Sequence, residues 1–199
     1  MKTIRSTSFT AAFLALLVLG FASGCGKKSD MSSSGASSET VAAAPAAASL
    51  SAQAVIEPTE GNDVRGTVRF VQEGAKVRVI ADLTGLTPGE HGIHVHEHGD
   101  CSAPDGSSAG GHFNPTNQPH AGPDADARHV GDMGNIVADS AGKAHLDYVD
   151  SKIALSGPNS VVDRSVIVHS GRDDLTSQPS GDSGKRVACG VIKLEGGQQ

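Results

Sequence analysis

The chain has 199 residues, with 22 acidic against 16 basic side chains and a net charge of −6, which disfavours a basic nucleic-acid-binding protein. Its 25 glycines lie well above the average share of about 7% and argue against a helix-rich fold, while the length suits one domain with extensions. Trp is absent, and beyond residue 21 only Phe70, Phe113 and Tyr148 are aromatic, so the core must be aliphatic and base stacking is not available.

Residues 1–24 open with Lys2 and Arg5 and no acid. An apolar run over 11–20 follows, and then the small residues Ala22, Ser23 and Gly24. That order of charged, apolar and small residues predicts a secretory signal peptide, and the apolar run is shorter than the ~20 residues of a membrane span. The Ala-Ser-Gly-Cys ending resembles a bacterial lipobox, which makes Cys25 the expected lipidation site. Three cysteines in an exported chain leave one odd thiol, and lipidation of Cys25 removes it. Residues 25–54 are rich in Ser and Ala and are expected to form a flexible tether, since they offer little surface to offset ordering entropy. Lys2 and Arg5 are the only charges in 1–24, so cleavage would take the net charge from −6 to −8.

Residues 55–199 form the expected domain. Val64, Gly66, Val68 and Phe70 alternate with polar neighbours, a Glu73-Gly74 turn follows, and Val77, Val79, Ala81 and Leu83 alternate again. Further strand-like runs lie at 54–57, 92–97, 135–138, 143–149, 165–168 and 187–195. Eight short strands punctuated by turn residues predict an all-β fold, a sandwich or barrel. Two long stretches without period, 99–128 and 170–185, each follow a His-bearing strand. Loops of that length in a compact domain are usually functional or disordered.

All nine histidines lie beyond residue 90. In a strand, His94 and His96 project to one face while Val95 faces the other, an arrangement that suits a first-row transition metal. His112, His120, His129 and Asp132 fall within one Gly- and Pro-rich stretch that has no apolar period to explain them as core. Three imidazoles and a carboxylate match a closed Zn²⁺ shell. His169 ends a strand and by itself reads as a solvated side chain. His91, His98 and His145 also keep the plain structural reading, with His98 at the surface or beside the H-x-H pair. In an exported chain, Cys101 and Cys189 are read as a disulfide.

Four segments carry a resemblance to a known family. They are Gly92-Ile93-His94-Val95-His96-Glu97-His98-Gly99-Asp100, Gly110-Gly111-His112-Phe113-Asn114-Pro115, Arg128-His129-Val130-Gly131-Asp132-Met133-Gly134-Asn135 and Lys185-Arg186-Val187-Ala188-Cys189-Gly190-Val191-Ile192. Over about 55–194 the chain resembles the copper/zinc superoxide dismutases, close to the exported bacterial lipoprotein type. The resemblance implies an eight-stranded Greek-key sandwich or flattened barrel with two long functional loops. It implies one copper held by His94, His96, His112 and His169, and one zinc held by His112, His120, His129 and Asp132. His112 would bridge the two ions, Asp173 would link a copper-ligand to a zinc-ligand histidine, and Arg186 would hold the superoxide anion. Cys101 and Cys189 would form the intrasubunit disulfide.

The implied activity is dismutation of superoxide to O2 and H2O2, with copper alternately reduced and oxidised and His112 releasing and supplying a proton. The implied location is the bacterial cell envelope, membrane-anchored through Cys25 and facing the periplasm; monomer and homodimer both stay open. Cys101 follows Asp100 directly, which lengthens the stretch to His112 and leaves its geometry open. Two other classes compete: a non-catalytic copper/zinc-binding envelope lipoprotein, and an immunoglobulin-like partner-binding module. Retention of Arg186 and of all the ligand types disfavours both.

Overall fold

The computed structural model describes residues 49–196; the signal segment, Cys25 and the tether up to residue 48 lie outside the described residues. The described chain forms eight strands: β1 (Ser51–Pro58), β2 (Arg65–Glu73), β3 (Lys76–Thr84), β4 (Gly89–His96), β5 (Asp132–Ala138), β6 (Ala144–Asp150), β7 (Ser165–His169) and β8 (Arg186–Leu194). Among the described residues the one helical turn is a 3-10 segment at Ser107–Ala109. The all-β expectation therefore holds and all eight strands are present, although β4 and β5 each begin three residues before the expected start.

The strands close into an antiparallel barrel in the order β1-β2-β3-β6-β5-β4-β7-β8. The connections from β3 to β4 and from β6 to β7 each skip two strands, which makes the topology Greek-key. Closure at the β5–β6 seam rests on the single pair Ala138–Ala144, and the two strands diverge beyond it. Alternation fixes which face is inside: Val77, Val79, Ala81 and Leu83 of β3 are buried while Lys76, Arg78, Asp82 and Thr84 are exposed. The core is aliphatic, built of Val, Ile, Leu and Ala around Phe70, Phe113 and Met133.

The tether boundary moves as well. The tether expected to run to Ala54 stops earlier, because Ser51–Ala54 belong to β1 and pair with Val68–Val71 of β2. Ala52 and Ala54 are fully buried; their small side chains fit a crowded barrel interior, so an Ala-rich composition here marks core packing.

Two long connections cover one outer side of the barrel. Residues 97–131 join β4 to β5, and residues 170–185 join β7 to β8. The first is clipped by a disulfide between Cys101 and Cys189, with Cα atoms 5.8 Å apart.

Candidate metal centre

Strand alternation builds the first half of the site. Ile93 and Val95 of β4 enter the core, so His94 and His96 occupy the opposite face. That face is buried as well, because the two long connections lie over it. The β4–β5 register shifts between Gly92 and His94, and the β7–β8 register between Val168 and His169, so an irregularity adjoins a histidine in each strand. Such bulges re-aim side chains.

Backbone bonds to Val95 bring in the second half. The Phe113 amide donates to the Val95 carbonyl at 2.8 Å and the Val95 amide donates to the Gly131 carbonyl at 2.9 Å. These bonds fold the long connection back onto β4 and set His112 and the His129–Asp132 turn beside His94 and His96. Gly131 is needed for this approach, since a Cβ there would sit 2.1 Å from the Val95 carbonyl oxygen.

The structure brings every predicted ligand into one of two adjoining sets. His94, His96, His112 and His169 present nitrogens within 4.8 Å of one another, and so do the donor atoms of His112, His120, His129 and Asp132. All seven side chains are buried. His112 belongs to both sets, one through each ring nitrogen.

Hydrogen bonds fix which nitrogen of each ring is free. His94 Nε2 donates to Asp173 Oδ2 at 2.7 Å, and His96 Nδ1 donates to the Gly110 carbonyl at 2.9 Å. His169 Nδ1 faces the Gly184 carbonyl at 3.3 Å. The opposite nitrogens, His94 Nδ1, His96 Nε2, His112 Nε2 and His169 Nε2, are buried and have no hydrogen-bond partner. Unpartnered buried polar atoms are rare and costly, and four imidazole lone pairs facing one another fit a bound cation. Copper suits such a set of nitrogens.

The other set fits a metal by a different argument. His112, His120 and His129 each bring Nδ1 to the same oxygen, Asp132 Oδ1, at 2.8, 3.0 and 3.1 Å. His129 Nδ1 and His112 Nδ1 lie only 3.4 Å apart. His120 Nε2 donates to Asp173 Oδ1 at 3.0 Å, so Nδ1 is the ring nitrogen directed at the Asp132 carboxylate. Three imidazoles and one carboxylate that converge at this distance suit tetrahedral zinc.

Charge follows geometry. Burial pushes His112 down to about 4 and His169 down to about 3, with neighbouring imidazoles adding to the effect. Burial likewise lowers His94 and His96. His120 goes the other way: burial opposes its charge, yet hydrogen bonds to Asp132 and Asp173 prevail and raise it to about 9. Burial works against the Asp132 carboxylate too, but three imidazole partners hold its pKa well below the usual range.

Arg186 and Asp173 also fall at the site. Arg186 donates from Nη1 to the Gly106 carbonyl at 2.7 Å and from Nη2 to the Gly110 carbonyl at 2.6 Å. Both acceptors lie in the segment clipped by the disulfide, and Gly110 also receives His96. The guanidinium therefore lines a cleft of about 410 Å³ together with His96, His112 and His169.

Three residues did more than the sequence disclosed. His91, expected to be an ordinary histidine, is buried, with Nδ1 2.8 Å from the His169 carbonyl oxygen and Nε2 2.8 Å from that of Thr87. It holds the backbone of a site residue. Arg128 is buried and donates from Nη1 to the carbonyls of His129, Val130 and Asp132 at 2.9, 3.2 and 3.2 Å. Asn135 exchanges two bonds with the Asp173 backbone, at 2.9 and 2.7 Å. Arg128 and Asn135 both stand in a segment that carried the resemblance, and their place flanking His129 and Asp132 was the available signal. His98 and His145 are exposed, paired with Glu97 at 3.3 Å and Asp82 at 2.7 Å.

Comparison with known proteins agrees with this geometry. The family model described as Copper/zinc superoxide dismutase (SODC) matches residues 64–192. An extracellular superoxide dismutase [Cu-Zn] of Brugia pahangi is 44% identical over 151 residues, spanning 71% of this chain and 74% of the relative. A superoxide dismutase [Cu-Zn] of Paramecium bursaria Chlorella virus 1 is 47% identical over 151 residues, spanning 72% and 78%. Among solved structures, the clock protein EA4 superposes with a TM-score of 0.67 at 42% identity, over 74% of this chain and 96% of that one.

Proposed function

The chain belongs to the copper/zinc superoxide dismutase family, dismutes superoxide to O2 and H2O2 and takes copper and zinc as cofactors, and from that premise we propose how its residues divide the work. His94, His96, His112 and His169 hold copper, and His112, His120, His129 and Asp132 hold zinc. The observation that carries this reading is the set of four unpartnered buried nitrogens, one of them on a ring whose other nitrogen joins the second set. When bound, copper supplies one-electron exchange while zinc, which is redox-silent, fixes the second donor set.

The residues do the rest. Asp173, Gly110 and Gly184 each take an N–H from a copper-ligand imidazole, so each ring stands in the tautomer that presents its lone pair. Asp173 also takes the His120 N–H and ties the two sets together. Arg186 binds the anion, because it stays charged, faces the cleft and is held rigid by two carbonyls. His112 Nε2 is the atom at which the chain can hold a proton at the cleft wall. Two superoxide anions and two protons give one O2 and one H2O2, so a ring that accepts and returns a proton there serves both halves. Both donor sets come from one chain, so the site requires no second copy.

The N-terminal reading completes the proposal. The signal segment, the lipobox-like Ala-Ser-Gly-Cys and the similarity to an extracellular relative support export, with anchoring to a bacterial envelope membrane through Cys25 on the periplasmic side. Mass analysis of the mature N-terminus tests it: a lipidated Cys25 is expected, and an unmodified one refutes the anchor.

Magnetic coupling tests the shared ligand. With Co(II) in the zinc set and Cu(II) in the copper set, a bridging His112 predicts a Cu(II) resonance broadened by exchange, and His112→Ala restores the ordinary signal. An unbroadened signal in the unaltered chain would refute the bridge.

A further inference from the structure

Gln178 lies in the connection between β7 and β8, far in sequence from the residues of the zinc set, yet it grips one of them by its backbone. Its Oε1 accepts the His120 amide N–H at 2.8 Å, and its Nε2 donates to the His120 carbonyl at 2.8 Å. A carboxamide that both accepts from and donates to one residue fixes that residue in position and orientation. Nε2 also donates to the Thr176 carbonyl at 3.1 Å, which ties the side chain to its own loop.

The same loop touches the site at a second place. Asp173 hydrogen bonds the His120 ring, and Gly181 packs against both groups. A Cβ on Gly181 would sit 1.9 Å from Asp173 Oδ1 and 2.7 Å from His120 Nε2, and its φ of 71° already favours glycine. Between these two contacts the chain turns back on itself through bonds from the Asp174 amide to the Gly181 carbonyl at 2.9 Å and from the Gly181 amide to the Ser177 carbonyl at 2.7 Å. Pro179, Ser180 and Gly184, next along the loop, line the cleft with Arg186. His120 is therefore held at its ring by Asp173 and at its backbone by Gln178, and both holds come from the segment that walls the cleft.

We propose that Gln178 is a positioning residue, a latch through which the zinc set holds the 176–184 segment against the cleft and that segment, in return, holds His120 on zinc. The latch is exposed, so its side chain carries no core packing. Coupling is reciprocal: whatever the loop contributes to keeping zinc, zinc contributes to ordering the loop. The proposal rests on the zinc assignment above.

The test follows zinc release into a chromogenic chelator, together with amide hydrogen exchange, in the metal-loaded full chain, Gln178→Ala and Thr176→Ala. Gln178→Ala is expected to release zinc about tenfold faster, the scale of losing a group that orients a ligand. Exchange at 176–184 should speed up to the rate of the zinc-free unaltered chain, while the amides of β2, β3 and β6 keep their protection and show that the barrel is folded. Thr176→Ala keeps the backbone carbonyl that Gln178 uses and is expected to match the unaltered chain. Equal zinc release and equal exchange in Gln178→Ala would overturn the latch, as would an equal disturbance by Thr176→Ala. Failure of the unaltered chain to bind stoichiometric zinc would instead overturn the zinc assignment, so the two failures are distinct.

Discussion

Arg128 and Asp150 form a buried ion pair, with Nη2 2.6 Å from Oδ2 and both side chains almost wholly excluded from water. Arg128 stands directly before His129 and collects three carbonyls of the turn that carries His129 and Asp132. Asp150 ends β6, and its other oxygen receives the amides of Lys152 and Ile153 at 2.7 and 2.9 Å. The pair thus pins the zinc-side turn to the barrel wall.

Breaking one partner of a buried pair leaves an uncompensated charge, at a cost of about 3–5 kcal/mol. Arg128→Met and Asp150→Leu are each expected to destabilise by that order. The double variant should cost less than the sum of the two, because no lone charge remains. Urea unfolding of the three variants checks this, and strict additivity would contradict it.

The disulfide links stability to the anion site proposed at Arg186. Closing a loop of 88 residues stabilises by about 4–5 kcal/mol in the chain-entropy model. The loop it clips also carries the Gly106 and Gly110 carbonyls that hold Arg186. Cys101→Ser with Cys189→Ser should therefore unfold earlier and, while still folded and metal-loaded, lose part of the salt dependence of its rate. A variant that loses stability alone would separate the disulfide from Arg186.

In the proposed role, Arg186 offsets a repulsive background, since the chain is net negative and the substrate is an anion. Burial lowers its pKa, and the nearby Asp105 carboxylate opposes that shift while competing for its field. Arg186→Ala is expected to slow dismutation about tenfold or more at low salt and to leave metal content unchanged. Asp105→Asn should speed the reaction at low salt, and the gain should vanish at high salt. Initial rates across ionic strength decide both.

In the metal-free chain the fold holds His112 at about 4 and His169 at about 3, against about 6.5 when unfolded. Between those values the unfolded chain binds more protons, so stability falls as pH drops from about 6.5 towards 4. His120, raised to about 9, contributes stability that is full below about 6.5 and lost as pH rises through 9. Metal-free stability should therefore peak near neutrality. Bound metals need the same nitrogens unprotonated, so the stability they add should shrink on the acid side. Urea midpoints with and without chelator across this range measure it; a flat profile would contradict the assignment.

Much of the fold was legible because period-two alternation survives wherever one face is buried, as in Val77 to Leu83. The paired projection of His94 and His96 followed from the same rule. Ala52 misled because a small residue looks the same in a loose segment as in a tight core. Arg128 and His91 were opaque for a related reason: a charged or polar side chain reads as solvated unless its partners are known, and theirs are mostly backbone carbonyls. Backbone partners have no sequence signature. Asp173 and His169 gained roles only through the family resemblance, since the distances that join them to His94 span some 79 and 75 positions of chain.

Superoxide decay after a radiolytic pulse, followed with the chain carrying copper and zinc and again with zinc alone, tests the account most directly. Rapid decay that requires copper and slows as ionic strength rises is the predicted result. Absence of decay at stoichiometric copper would contradict it, as would copper-dependent decay indifferent to both salt and Arg186→Ala.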